Sequence, residues 1–488
     1  MVDGMIAIAL QSGTTYDMPK DLYFGGNGAS QIQPLALAIF LIAAILILVL
    51  PRKYVIGPLL ATGLLLSMGN GIVVAGVHVL VCRLLLLVGW IRVARDVQSE
   101  HGFYPKRWTP LDKVFFFWTI SNAITFCLLW GQFAAVVNRL GFLYTTLGAY
   151  FLIRHLIRDK EDVVLTVKVL AILTVVMAVF MLSEHITGHN LFSLVGGPDL
   201  ASVRDGKIRA QGPFAHSIIA GTIGAMLMPL FVGLWWQGRK YRLIAGLGIA
   251  GGAGMAIASA SSTPVMTYLF GALALLLWSA RKKMKRLRWG IVISLVALQL
   301  VMKAPVWFLL ARLGGLMGGS GWHRAVLIDS FVQHFWQWWL VGTQSNANWG
   351  YDMWDAINAY VGAGVEGGLV TFILFIAVVV YAFKRVGISR KMAEKYGFLK
   401  EARLAWAMGA ALLANTVAFF GIAYFDQSIF AWYTLLAMTS ATTTFVANKK
   451  PAQPQPRIAE ATTAAFAAGT VPAEAPVGSR QTFASLLK

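Results

Sequence analysis

Leu35-Ala-Leu-Ala-Ile-Phe-Leu-Ile-Ala-Ala-Ile-Leu-Ile-Leu-Val-Leu50 carries no polar side chain. A helix of that length covers most of a hydrocarbon layer about 30 Å thick. Comparable apolar runs, of about 16–23 residues, begin near Leu35, Tyr54, Ile72, Val114, Leu140, Val163, Pro213, Leu243, Pro264, Trp289, Leu369, Leu404 and Ser428. Composition agrees: 58% of the 488 residues are hydrophobic and 13% charged, against roughly 25% charged in soluble domains. The expected fold class is an all-α polytopic membrane protein with about 12–13 transmembrane helices.

The net charge of +20 does not indicate nucleic acid, because no basic stretch interleaves with aromatics as in a single-strand binder. Lys and Arg instead collect in alternate connections, where they face anionic membrane lipids. One set holds Arg52, Lys53, Arg92, Arg95, Lys106, Arg107, Lys113, Arg154, Arg158 and Lys160. It continues through Arg239, Lys240, Arg242, the cluster from Arg281 to Arg288, and Lys384 to Arg403. By the positive-inside rule this set is cytoplasmic, the N-terminus outside and the C-terminus inside.

Three segments follow: an extracytoplasmic stretch 1–34, a transmembrane domain 35–446, and a Pro-, Ala- and Thr-rich cytoplasmic tail 447–488 that has little to bury. The first segment lacks the basic start of a cleavable signal. Cys82 and Cys127 sit in apolar runs and read as small buried hydrophobes. Internal repeats of the transporter kind are not evident.

Two connections on the cation-poor side are long, 183–211 and 303–363, the second lying between the tenth and eleventh spans. The first ends Ser202-Val-Arg204-Asp-Gly-Lys207-Ile-Arg209-Ala-Gln-Gly-Pro213-Phe-Ala-His216. Pro213 suits the first turn of the helix that follows. Cations beside a helix N-terminus make an anion site; lipid headgroups are the alternative contact.

The second long connection contains Gly321-Trp-His323-Arg324, then Trp336, Trp338 and Trp339, then Asp352, Trp354, Asp355, Asn358 and Glu366. Residues 322–335 have a helical, amphipathic pattern. The three indoles suit an interface belt or stacking on sugar rings. The Arg324 guanidinium after a Gly-rich turn can clamp an oxyanion or pair with Asp329 or Asp352. Arg139, at the start of a span on the same side, is a further candidate for that anion site. Arg83 and His78 fall in the third run, where ionisable groups mark polar cavities. The zinc, phosphate-loop and serine-nucleophile signatures are missing, so neither metal nor cofactor is expected.

In these residues the chain resembles the O-antigen ligase and polymerase superfamily of bacterial membrane glycosyltransferases, over about residues 130–440. The likeness rests on Arg209, Gly212 and His216 opening a span, the turn Ser259-Ala-Ser-Ser-Thr-Pro264, and Gly321 with Arg324. It extends to Leu340-Val-Gly-Thr343 and Asp355-Ala-Ile-Asn358-Ala-Tyr-Val361 before Glu366-Gly-Gly.

The resemblance implies a GT-C-like enzyme of the bacterial inner membrane. It would act at the outer face on an undecaprenyl-diphosphate-linked glycan, without metal or cofactor, toward a glycan or lipid A-core acceptor. It implies Arg209 and Arg324 on the diphosphate, with Arg204, Lys207, Arg139, His216, Asn358 and Trp354 around the substrate. Ligases of the family commonly carry a His-Asn pair where this chain has Ile357-Asn358. Asp355, Glu366 and His323 are then the candidate bases, and polymerisation is favoured over ligation. A lipid-linked glycan transporter is the rival of a different class.

Overall fold

The computed structural model describes residues 32–445, except 68, 75–76, 99–101, 205, 317–320, 352, 355, 426 and 443–444. Most of the expected segment 1–34 and the tail 447–488 lie outside the described residues.

Among the described residues the fold is all-helical apart from two short hairpins. In chain order the helices are α1 Pro34–Val49, α2 Ile56–Leu65, α3 Val81–Asp96, α4 Pro110–Trp130, α5 Phe133–Leu156 and α6 Lys160–Thr187. Next come α7 Ser217–Trp235, α8 Arg242–Ala258, α9 Ser262–Leu276, α10 Met284–Val301, α11 Leu309–Leu316, α12 Gly321–Gln333 and α13 Phe335–Trp338. The series closes with α14 Ala359–Lys395, α15 Leu399–Ala418 and α16 Ser428–Ala441. The antiparallel hairpins pair β1 Gly71–Val74 with β2 Val77–Leu80, and β3 Ser202–Arg204 with β4 Lys207–Arg209.

Local chemistry sets the helix ends. Thr109 and Asp112 form a reciprocal capping box at the start of α4, with Pro110 in its first turn. The side chain of Asp159 caps α6 through the Asp162 N–H. Gly131 and Gly188, both left-handed, end α4 and α6.

Among the described residues, six helices are long and apolar enough to cross a membrane, or seven if the bent pair α9–α10 is one span. The protein is thus a polytopic membrane protein, but the thirteen expected runs are not thirteen full-length helices. Those near Leu35, Tyr54 and Ser428 form α1, α2 and α16, which have 16, 10 and 14 residues. The run near Ile72 is not one span: it opens as the β1–β2 hairpin and turns helical only at Val81. His78 therefore stands on β2 and Arg83 in the first turn of α3, so the two do not share a helix.

The centre is α7, 89% buried across its apolar window. It packs on α8, α9 and α15, while α6 packs on α8 and α14 packs on α4 and α15. The α7–α8 contact is close: a Cβ on Gly252 would lie 2.6 Å from the Gly224 carbonyl oxygen. Small residues at helix contacts let backbones approach this way in membranes. In contrast, α10 has no buried residue, and its apolar shaft suits lipid.

Charged residues divide between the two ends of the bundle. At the end where α4, α6 and α15 begin and α14 finishes, cations pair with carboxylates. Arg52–Asp162 and Lys160–Glu401 are both 2.8 Å, Arg281–Glu394 and Arg390–Glu394 both 2.9 Å, and Arg154–Asp112 3.6 Å. The opposite end, where α7, α9 and α14 begin, holds the pair Arg139–Glu366 at 3.7 Å and a group of arginines.

Candidate anion site at the starts of α7 and α9

Two helix starts lie side by side at this end. A Cβ on Gly221 of α7 would run into Ser259 Oγ and stand 2.8 Å from Pro264 Cγ of α9. His216 and Ser261, the residues before α7 and α9, make no side-chain cap. The starts of α7 and α9 thus lie near one another, with the carbonyl end of α8 beside them.

Three arginines come to this place from separate elements. Arg209, on β4, directs Nε toward the Ser259 carbonyl at 3.5 Å, and the next residue's N–H bonds the Ala258 carbonyl at 3.0 Å. Arg324, on α12, donates Nη2 to Thr263 Oγ1 at 2.7 Å. Arg204, on β3, lies close enough for its charge to act on Arg324. Burial first, and then the Arg204 charge, hold the Arg324 guanidinium below its usual range. That range is so high that the group remains a cation at neutral pH. Among the described residues no carboxylate pairs with Arg324. Asp329, a partner that its sequence position allowed, instead accepts from Trp307 Nε1 at 3.1 Å and Gln333 Nε2 at 2.6 Å.

The supports of these cations are themselves specific. The buried Glu184 carboxylate accepts the Gln211 N–H at 3.0 Å and the Gly212 N–H at 2.8 Å, fixing the chain just after Arg209. Gly212 has φ +56. Pro213 stands in this turn, four residues before the start of α7, and so is not the first-turn proline expected. Glu184→Gln sets an amide N–H₂ against one of these N–H groups. The expected cost is about 1–3 kcal/mol, read as a lower melting temperature and faster proteolysis between residues 188 and 211. Unchanged melting and proteolysis would show that this carboxylate does not anchor the hairpin.

A turn that sequence reasoning missed also borders the site, through Gly421, Phe425 and Gln427 between α15 and α16. A Cβ on Gly421 would lie 2.8 Å from Arg324 Cζ, so the guanidinium rests on that backbone. Phe425 meets the His216 ring edge-on at 5.7 Å, and Gln427 Nε2 donates to the Pro213 carbonyl. The only advance signal is a Gly inside an aromatic stretch, Phe419-Phe-Gly421, which marks close backbone approach without naming the partner.

The connection that carries Arg324 is itself packed. The connection 303–358 has its own apolar core of Leu327, Phe331, Trp338, Trp349 and Met353, joined by Val361 of α14. Phe331 and Trp338 stack at 3.9 Å, and Trp338 Nε1 donates to the Phe331 carbonyl at 2.8 Å. Trp338 is therefore a core residue and not part of an indole belt, while Trp336 and Trp339 are exposed.

The remaining candidates divide. Lys207 is exposed and pairs with Arg204 in the hairpin register. His323 is half-buried beside Arg324 on α12, and Trp354 is exposed. Asn358, expected at the substrate, is fully buried as the cap of α14: its Oδ1 accepts from the Tyr360 and Val361 N–H groups. Asp355 and Asp352 lie outside the described residues. Arg139 joins Glu366, at 3.7 Å. Among the described residues no three His, Cys, Asp or Glu side chains gather as a metal site. Comparison with family models and with curated proteins finds no match to this chain.

Proposed function

We propose that the protein is a membrane glycosyltransferase that polymerises undecaprenyl-diphosphate-linked oligosaccharides at the outer face of the bacterial inner membrane. The observation that carries this reading is the meeting of Arg204, Arg209 and Arg324 at two helix starts. Like charges gathered around a half-buried guanidinium repel, and a diphosphate between them turns that repulsion into attraction. The ion-paired opposite end, rich in Lys and Arg, supports an outward-facing site.

The acceptor hydroxyl oxygen bonds to the anomeric carbon. The bond from that carbon to the diphosphate breaks, the diphosphate leaves with the electron pair, and the hydroxyl proton passes to a base. Negative charge grows on the diphosphate as the bond breaks, so fixed cations favour the transition state over the substrate.

A second reading, transport of a lipid-linked glycan, draws on the break in α14 beside Arg139 and Glu366. Purified protein in detergent separates the two, since no compartments remain. Given lipid-linked repeat units, it is expected to yield a ladder of longer products on a gel. An empty lane, with a lipid A-core acceptor also tried, would contradict glycosyl transfer and leave transport as the better account.

A further inference from the structure

The helix α14 is broken at Gly368, whose φ of 70 and ψ of −173 are not helical. The segment 339–343 fills the break: the Leu369 N–H donates to the Trp339 carbonyl, and the Thr343 N–H to the Val365 carbonyl, both at 2.8 Å. Glu366 stands just before the break with its side chain 54% exposed, 3.7 Å from Arg139 Nη1. Arg139 is 8% exposed. It donates Nη1 to Asn122 Oδ1 at 2.8 Å, lies over the Phe126 ring at 3.4 Å, and has a buried Nε with no hydrogen-bond partner. A buried cation thus holds one side of an open carboxylate. The exposed indole of Trp339 stands at the same break, 6.2 Å from that of Trp336.

A carboxylate at a helix break, beside exposed indoles, is chemistry suited to a carbohydrate: vicinal hydroxyls donate to the carboxylate and ring faces stack on the indole. Its place relative to the arginines fits this. The α14 cap Asn358 donates to the Phe420 carbonyl, next to the Gly421 that carries Arg324. Glu366 is two helical turns further on, about 12 Å along the axis. That separation leaves the diphosphate to the arginines and the acceptor hydroxyl to Glu366.

We propose that Glu366, held by Arg139, forms the subsite for the acceptor sugar and takes the proton of its attacking hydroxyl. This rests on the glycosyltransferase reading above. As the oxygen bonds to the anomeric carbon, its proton moves to the Glu366 carboxylate and the diphosphate departs with the bonding electrons. Arg139 of α5 is the charged group set against Glu366 among the described residues, with Cys127 of α4 beside Arg139.

The test uses the full-length protein in detergent and three readouts: undecaprenyl diphosphate binding, acceptor dependence of transfer, and the rate–pH profile. Glu366→Gln is expected to bind undecaprenyl diphosphate as the wild type does. It should lose roughly 10²- to 10⁴-fold in kcat, together with the acidic limb of the profile. Glu366→Asp keeps a carboxylate and is expected to restore that limb at a reduced rate. Wild-type kcat and KM in Glu366→Gln would overturn the inference and leave the arginine site standing. So would a Glu366→Asp profile as flat as that of Gln. Failure of the wild type to bind the diphosphate would overturn the underlying reading, and this inference with it.

Discussion

Arg324→Ala is expected to abolish polymer in cells that carry it as their only copy, while the protein stays in the membrane at its normal level. The guanidinium is half-buried, donates to Thr263 Oγ1, and has no carboxylate partner among the described residues. Its removal therefore strands no buried anion in the free protein. What it strands is the bound diphosphate, and losing one partner of such a pair costs about 2–5 kcal/mol. At about 1.4 kcal/mol per tenfold, binding falls from roughly thirtyfold to several-thousandfold. Arg324→Lys keeps the charge but loses the planar fork, so it is expected to recover only part of the activity. Normal polymer length in the alanine strain, read on a gel, would remove Arg324 from the chemistry.

Gly368→Val is expected to dislodge the long connection that carries Arg324. A left-handed backbone strains a β-branched residue by about 1–3 kcal/mol. A Cβ there would also lie 2.5 Å from the Leu340 carbonyl oxygen, which belongs to the segment filling the break. That segment must move, and its two hydrogen bonds into α14 contribute about 1 kcal/mol each. The expected loss is about 3–5 kcal/mol. It should appear as a lower melting temperature and rapid proteolysis within residues 303–358, with transfer lost as Arg324 shifts. A variant that melts and resists protease like the wild type would show that the break tolerates a side chain and does not anchor the connection.

Much of this arrangement was legible in the sequence, for physical reasons that differ by element. The helices α4 and α6 follow from the apolar runs near Val114 and Val163, and local caps at Thr109 and Asp159 carry their starts a turn further back. Arg209 and Arg324 stand out because Lys and Arg are scarce on that side. Thr263 lies in the Ser-rich turn already conspicuous between two apolar runs.

Other features depend on contacts far along the chain. Nothing local to Gly421 or Gln427 indicates that Arg324 or the Pro213 carbonyl will meet them. The β1–β2 hairpin is hidden because a short Val- and Ile-rich run suits strand and helix alike. Gly368 resembles any small residue in a helix until the segment 339–343 is seen inside the break. The sequence offers Arg139 as a member of the anion site and Glu366 as a candidate base, with nothing to connect them. Only the fold of α5 against α14 shows that they form a pair of their own.

The central claim is that the three arginines hold a lipid diphosphate, and the most direct test is binding to purified full-length protein in detergent. Undecaprenyl diphosphate and undecaprenol share the same tail and differ only in the headgroup. The account predicts that the diphosphate raises the melting temperature, that the alcohol does not, and that Arg324→Ala removes the difference. Equal stabilisation by both lipids would mean that only the tail is recognised, and would contradict the claim.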